Sequence, residues 1–157
     1  MMVIVGLFAA VRWMTRPADL SPLLLQPAQA NTLTADPCLN KQRCVIVNIA
    51  PWCPACASTL PLIRVLRDAW MNSPRYGFKI IVSADRLDAL QDEARSIGDN
   101  TYVDPENRFV KMTHFNAFPT WVVLDENKKM LRHFAGGTAE SDDAARYGLL
   151  AQLGITS

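Results

Sequence analysis

The sequence contains no apolar stretch of about 18 residues, the length a membrane-spanning helix needs, which excludes a multi-span membrane protein. It has no excess of either charge. Sixteen Lys and Arg stand against fifteen Asp and Glu, a net charge of +1, and there is no basic run, so nothing in it forms an electrostatic footprint for nucleic acid. It has no internal repeat and no low-complexity tract. Cysteine is scarce: four in 157 residues are too few for a disulfide-dense miniprotein. What remains is ordinary globular composition, 50% hydrophobic and 20% charged. The length is about that of one domain, enough to bury a real core without staples. The four cysteines are crowded: Cys38, Cys44, Cys53 and Cys56 fall within 19 residues.

The start of the chain, MMVIVGLFAAV, is an apolar run closed by Arg12. It is read as the hydrophobic part of an export signal or a membrane tether, covering residues 1–14. Ala28-Gln29-Ala30 has the small-x-small form of a cleavage site, but it lies about seventeen positions beyond Val11, and no Lys or Arg precedes the run. Eleven helical residues span only about 16 Å, short of a hydrocarbon core of about 30 Å. Residues 15–37 carry prolines and no sustained period, and are read as a linker. The folded domain is then expected over 38–157.

Within it, Cys44–Pro51 (CVIVNIAP) is a β-branched run that reads as a buried strand. From Cys53 to Asn72, Leu60, Ile63, Leu66, Ala69 and Trp70 recur at helical spacing, which predicts a long helix kinked near Pro61. Phe78–Ser83 reads as a second buried strand. Asp85–Ile97 reads as a helix with Leu87, Leu90, Ala94 and Ile97 on one face. Thr101–Val103 is a short extended piece. Asp104-Pro105 looks like a helix start, with Asp at the cap and Pro in the first turn, running to about His114. Thr120–Leu124 and Met130–Ala135 make a hairpin. Gly136-Gly137 ends it, and Ala139–Leu153 is a final helix. Strands alternating with helices before a closing hairpin predict an α/β fold: a mixed central sheet with helices on both faces, then a C-terminal hairpin plus helix.

The chemistry concentrates at Trp52-Cys53-Pro54-Ala55-Cys56, where the first strand passes into a helix. A cysteine at a helix N-terminus meets unpaired N–H groups and the positive end of the helix dipole, which favour a thiolate. The second cysteine sits one turn on, within reach of the first. Pro54 falls in the first turn, where its missing N–H costs nothing. C-x-x-C at such a junction reads as a redox pair.

Two further features extend the pattern. Pro61 follows Cys56 by five residues, and Phe118-Pro119-Thr120 opens the hairpin. With W-C-x-x-C these resemble, in order and over roughly residues 44–157, the thioredoxin superfamily. The order of elements between Phe78 and Pro119 is similar to that of the exported TlpA/ResA-type reductases. The resemblance implies a thioredoxin fold, a cis peptide at Phe118–Pro119 packed against Cys53, and a substrate chain lying along Phe118. It implies Cys53 and Cys56 as the catalytic pair, with Trp52, Pro54, Phe118, Pro119 and Thr120 as the active-site wall. One position departs from it. Thioredoxins place a buried Asp six residues before the first cysteine, where this chain has Val47, followed by Asn48.

The expected function is thiol-disulfide exchange, most directly reduction of disulfides in exported proteins, with cytochrome c maturation as the job the TlpA/ResA resemblance implies. The alternative is a disulfide-forming oxidase or isomerase. A cysteine-based metal module is the other class, since C-x5-C-x8-C-x2-C could in principle make a zinc site. The lone histidines His114 and His133 and the scattered methionines suggest no metal ligation. No metal and no cofactor are expected, because the chemistry resides in the cysteines. The partners are protein thiols and disulfides, with an upstream membrane or soluble redox donor and no nucleic acid. The place is an exported one, a bacterial periplasm or a membrane-tethered position facing an oxidising space. Cys38 and Cys44 are read as a structural disulfide, whose short loop would contribute about 2 kcal/mol. A second redox pair relaying electrons to Cys53–Cys56, or two packed thiols, are the alternatives.

Overall fold

The computed structural model describes residues 19–20, 26–27 and 36–155. The expected signal or tether over 1–14 lies outside the described residues. Among the described residues the chain forms six strands and four helices, in the order β1 (Gln26–Pro27), β2 (Arg43–Ile49), α1 (Pro54–Trp70), β3 (Tyr76–Ser83), α2 (Leu87–Ile97), β4 (Thr101–Asp104), α3 (Arg108–Thr113), β5 (Thr120–Leu124), β6 (Met130–Ala135) and α4 (Asp143–Leu153). The sheet order is β1-β4-β3-β2-β5-β6. β2, β3 and β4 run parallel, while β5 and β6 close the sheet antiparallel. β2 is central, buried along all but its first residue, which is why it reads as a continuous apolar run.

The alternation of β2 sends Val45, Val47 and Ile49 to one face and Cys44 and Ile46 to the other. On the first face, Leu62, Ile63 and Leu66 of α1, Leu90, Ala94 and Ile97 of α2, and Leu149, Leu150 and Leu153 of α4 form the main core. On the second face Phe109 of α3 packs with Cys38, Ile81, Val122, Leu124 and Leu20. The sheet is therefore covered on both faces, unevenly. α1 continues through Pro61, which has no N–H to give the Ala57 carbonyl.

Three differences from the sequence expectation go beyond a residue or two at an element's end or change how an element is held. Asp104 ends β4 instead of opening a helix, and its carboxylate reaches forward to accept from the N–H groups of Arg108 (2.9 Å) and Phe109 (2.8 Å). It does the work of a cap from the strand end, while Pro105 and Glu106 form the turn. α4 begins at Asp143, because Asp142 is the residue whose side chain accepts from the Ala145 N–H at 2.8 Å.

The third difference concerns the stretch read as a linker, parts of which pack on the domain. Asp19 bridges to Lys129, Leu20 is buried, and Gln26–Pro27 pairs antiparallel with β4. A two-residue edge strand carries no periodic signature, so the composition of 15–37 gave no sign of it.

Candidate functional site

The Cys53–Cys56 pair is set by the end of β2. Cys53 is the N-cap of α1, in extended conformation (φ −89°, ψ 109°), and its Sγ accepts the Cys56 N–H at 3.1 Å. The cap role that Ser or Asp usually fills is here taken by sulfur. The same N–H group and the helix dipole stabilise negative charge on that sulfur once the bond to Cys56 is reduced. Pro54 occupies the first turn, as its missing donor permits. Cys53 and Cys56 are joined as a disulfide, Cα atoms 5.2 Å apart, and both residues are nearly enclosed (5% and 2% exposed).

The wall on the far side comes from the loop before β5. The Phe118–Pro119 peptide is cis. The Phe118 carbonyl oxygen lies 3.5 Å from Cys53 Sγ, within reach of a thiol proton on that sulfur in the reduced state. Pro119 is buried, and its own carbonyl accepts from the Gly136 N–H at 2.9 Å. Thr120 is buried too, and its hydroxyl turns back to the Ala117 carbonyl at 2.5 Å. Thr120 therefore shapes the loop and faces away from solvent. Trp52 stands at the rim, 58% exposed, edge-to-face on Phe118 at 5.5 Å between ring centroids.

Val47 shares the core face with Cys53 and Cys56 and is fully buried. Among the described residues no buried carboxylate belongs to this core. Asn48 points to the other face, where it accepts from the Ser83 hydroxyl at 2.7 Å.

Cys38 and Cys44 are joined as a second disulfide, Cα atoms 5.3 Å apart and both residues enclosed. They belong to the opposite core from Cys53–Cys56 and to the opposite end of β2. The sheet thus separates the two pairs, and the four sulfurs do not converge on one centre. Among the described residues no group of three or more His, Cys, Asp or Glu is placed to hold a metal ion.

Asp36 sits beside the second disulfide, accepting from the Cys38 N–H at 2.9 Å and pairing with Lys79 at 3.1 Å. Burial pushes its carboxyl upward, but the Cys38 hydrogen bond and the Lys79 charge outweigh that and leave its pKa below 3.8. Burial, with the Asp36 charge beside it, raises the neighbouring Tyr102 phenol to about 12. Burial lowers Lys128, whose ammonium donates to the Cys38 carbonyl.

Three positions at the site carry no sequence signal. The Trp52 indole N–H donates to the Ala84 carbonyl at 2.7 Å, and the Ala84 N–H donates to Asn107 Oδ1 at 2.8 Å. Gly137, read from the sequence only as a hairpin break, packs so closely that a Cβ there would stand 2.0 Å from Thr59 Oγ1 and 3.1 Å from Pro119 Cγ. These contacts join residues far apart in the chain, so no local pattern announces them.

A parallel β-α-β unit, a closing hairpin and a disulfide at the first helix N-terminus opposite a cis-proline loop define the thioredoxin fold. No family model matches the chain, and no curated protein does either. Solved structures do. StoA from Bacillus subtilis is 22% identical, with 64% of this chain and 79% of that one aligned at a TM-score of 0.51. The pneumococcal exposed lipoprotein thioredoxin Etrx1 from Streptococcus pneumoniae is 17% identical over 73% of this chain and 87% of its own, TM-score 0.57. A secreted disulfide oxidoreductase of Mycobacterium tuberculosis, described as homologous to Escherichia coli DsbE, is 17% identical over 74% and 83%, TM-score 0.55. At these identities the likeness is one of fold.

Proposed function

We propose that the protein is a thiol-disulfide oxidoreductase that reduces disulfides of exported proteins through Cys53 and Cys56. The observation that carries this reading is Cys53 as the helix N-cap, its sulfur held by the Cys56 N–H and bordered by the Phe118 carbonyl. In the reduced enzyme, the Cys53 thiolate attacks one sulfur of a substrate disulfide. A mixed disulfide forms and the first substrate thiolate leaves. Cys56, deprotonated, then attacks Cys53 Sγ and releases the second substrate thiolate, leaving Cys53–Cys56 oxidised. Two electrons pass from the dithiol to the substrate, and an upstream dithiol donor restores them. The first substrate thiolate to leave takes the Cys56 proton, since Val47 supplies no carboxylate.

The active-site wall of Trp52, Pro54, Phe118 and Pro119, shaped from behind by the buried Thr120, receives the substrate chain alongside Phe118, as in the family it resembles. An extracytoplasmic place is supported by the second, enclosed disulfide, which suits an oxidising compartment. The neighbours described as exposed or secreted point the same way. Among the described residues no helix is long and apolar enough to cross a membrane, and the tether in this reading is the apolar run over 1–14. Within such a space, the finer assignment is a reductant for haem-attachment cysteines in cytochrome c maturation. It rests on the TlpA/ResA resemblance.

The test is a redox equilibrium of the full chain in graded thiol/disulfide buffers, with each cysteine trapped and read by mass spectrometry. A Cys53–Cys56 potential near that of thioredoxin, about −270 mV, is expected for a reductant. A value near that of a strong oxidant, about −120 mV, would reverse the direction. With Cys56→Ser, a mixed disulfide through Cys53 accumulates. A pair that never cycles ends the enzyme reading.

A further inference from the structure

Trp52 is the most solvent-exposed large apolar side chain at the site, yet it is held at two points. Its ring packs on Phe118, and its indole N–H is bound to the Ala84 carbonyl. Ala84 directly follows β3 and has φ 64°, in the left-handed region that a residue with a Cβ rarely adopts. Its N–H donates to Asn107 Oδ1. Asn107 is also left-handed (φ 52°), a conformation Asn tolerates, and it directly precedes α3. That end of α3 is fixed in turn: Asp104 binds the Arg108 and Phe109 N–H groups, and Phe109 is fully buried in the second core. A chain of contacts therefore runs from the far-face core through Asn107 and Ala84 to the indole beside Cys53.

We propose that Asn107 is a positioning residue. It holds Ala84 in its left-handed conformation so that the Ala84 carbonyl fixes the Trp52 indole, and the fixed indole is a docking face for an apolar segment beside the disulfide of a protein substrate. A free tryptophan at the rim would lose rotamer freedom each time a partner bound, and holding it in advance removes that cost. Rigid, exposed aromatics are the usual anchors of protein contacts. The inference rests on Cys53–Cys56 reducing protein disulfides.

The experiment uses the full chain, with dithiothreitol as electron donor, insulin as protein disulfide and dithiobis-nitrobenzoate as small disulfide. In Asn107→Ala, the Trp52 indole N–H resonance is expected to shift and lose its protection from exchange. KM for insulin is expected to rise about fivefold, the factor one hydrogen bond of ordinary net strength carries. The loss falls on KM rather than kcat, and is smaller for the small disulfide, which has no chain to dock. Asn107→Asp, which keeps an acceptor for the Ala84 N–H, restores both readouts. In a Trp52→Phe background, which keeps a ring but no N–H, the Asn107→Ala effect vanishes, because the two residues act through one contact.

An unchanged indole resonance and KM in Asn107→Ala would overturn the proposal. So would an equal loss in the Trp52→Phe background, which would mean that Asn107 acts on the fold alone. If Asn107→Ala does not fold, Trp52→Phe alone must raise KM for insulin, and an unchanged KM overturns the proposal. Wild-type protein that reduces neither disulfide would instead refute the enzyme reading, and the indole resonance still decides whether Asn107 holds Trp52.

Discussion

A sulfur at a helix N-cap is a different chemical object from the same sulfur elsewhere. Cys53 has the Cys56 N–H directed at it, and it shares the buried face with Val47, which brings no competing charge. Asp36 is the counterpart at the second disulfide, an acid whose environment favours the ionised form. The folded pKa lies below the usual 3.8, so the carboxylate contributes stability at pH values above 3.8, and that contribution is lost as pH falls through the lower folded value. Asp36→Asn is therefore expected to lower the urea midpoint at neutral pH. The gap between variant and wild type should close as the buffer is taken well below 3.8. A gap that persists in acid would show that the Lys79 pair and the Cys38 N–H bond are not the source of the difference.

At the scale of elements, the site depends on how strand ends meet helix starts. β2 delivers Cys53 to α1, β3 delivers Ala84 under Trp52, and β4 delivers Asp104 to α3. Each junction is closed by a side chain or a backbone group rather than by length of loop. The turn carrying Cys38 is seated on β3 in the same close manner. A Cβ at Gly77 would stand 2.4 Å from the Pro37 carbonyl oxygen and 2.9 Å from Cys38 Cα, both backbone atoms that cannot swing aside. Gly77→Ala is expected to destabilise the fold by about 1–3 kcal/mol, the usual cost of overpacking. Denaturant unfolding measures this, and an unchanged midpoint would mean that the 36–41 turn is not held against β3.

Across the whole molecule, the sheet works as a partition. Cys53–Cys56 belongs to the core built with α1, α2 and α4, while Cys38–Cys44 belongs to the core built with α3. A direct relay between them would have to cross the sheet and the length of β2. The double variant Cys38→Ser/Cys44→Ser is therefore expected to lose about 2 kcal/mol of stability, the value of so short a loop. The Cys53–Cys56 reduction potential should stay where it is. Chemical denaturation and the same redox equilibrium check the two halves, and a shifted potential would revive the relay.

The amino-acid sequence was enough to determine the fold class, the cysteine pair at the strand-helix junction and the loop that faces it. Those signals are local: β-branched runs, helical spacing from Leu60 to Trp70, a C-x-x-C at a strand-helix junction, and a proline ahead of the hairpin. Only the tertiary structure decided that Asp104 caps α3 from inside a strand, that part of 15–37 joins the sheet, that the two disulfides lie on opposite faces, and that Asn107 reaches Trp52 through Ala84. The physical reason is common to all four. Each depends on atoms brought together by the packing of the sheet and helices, and an interaction made across space leaves no period, run or spacing along the chain.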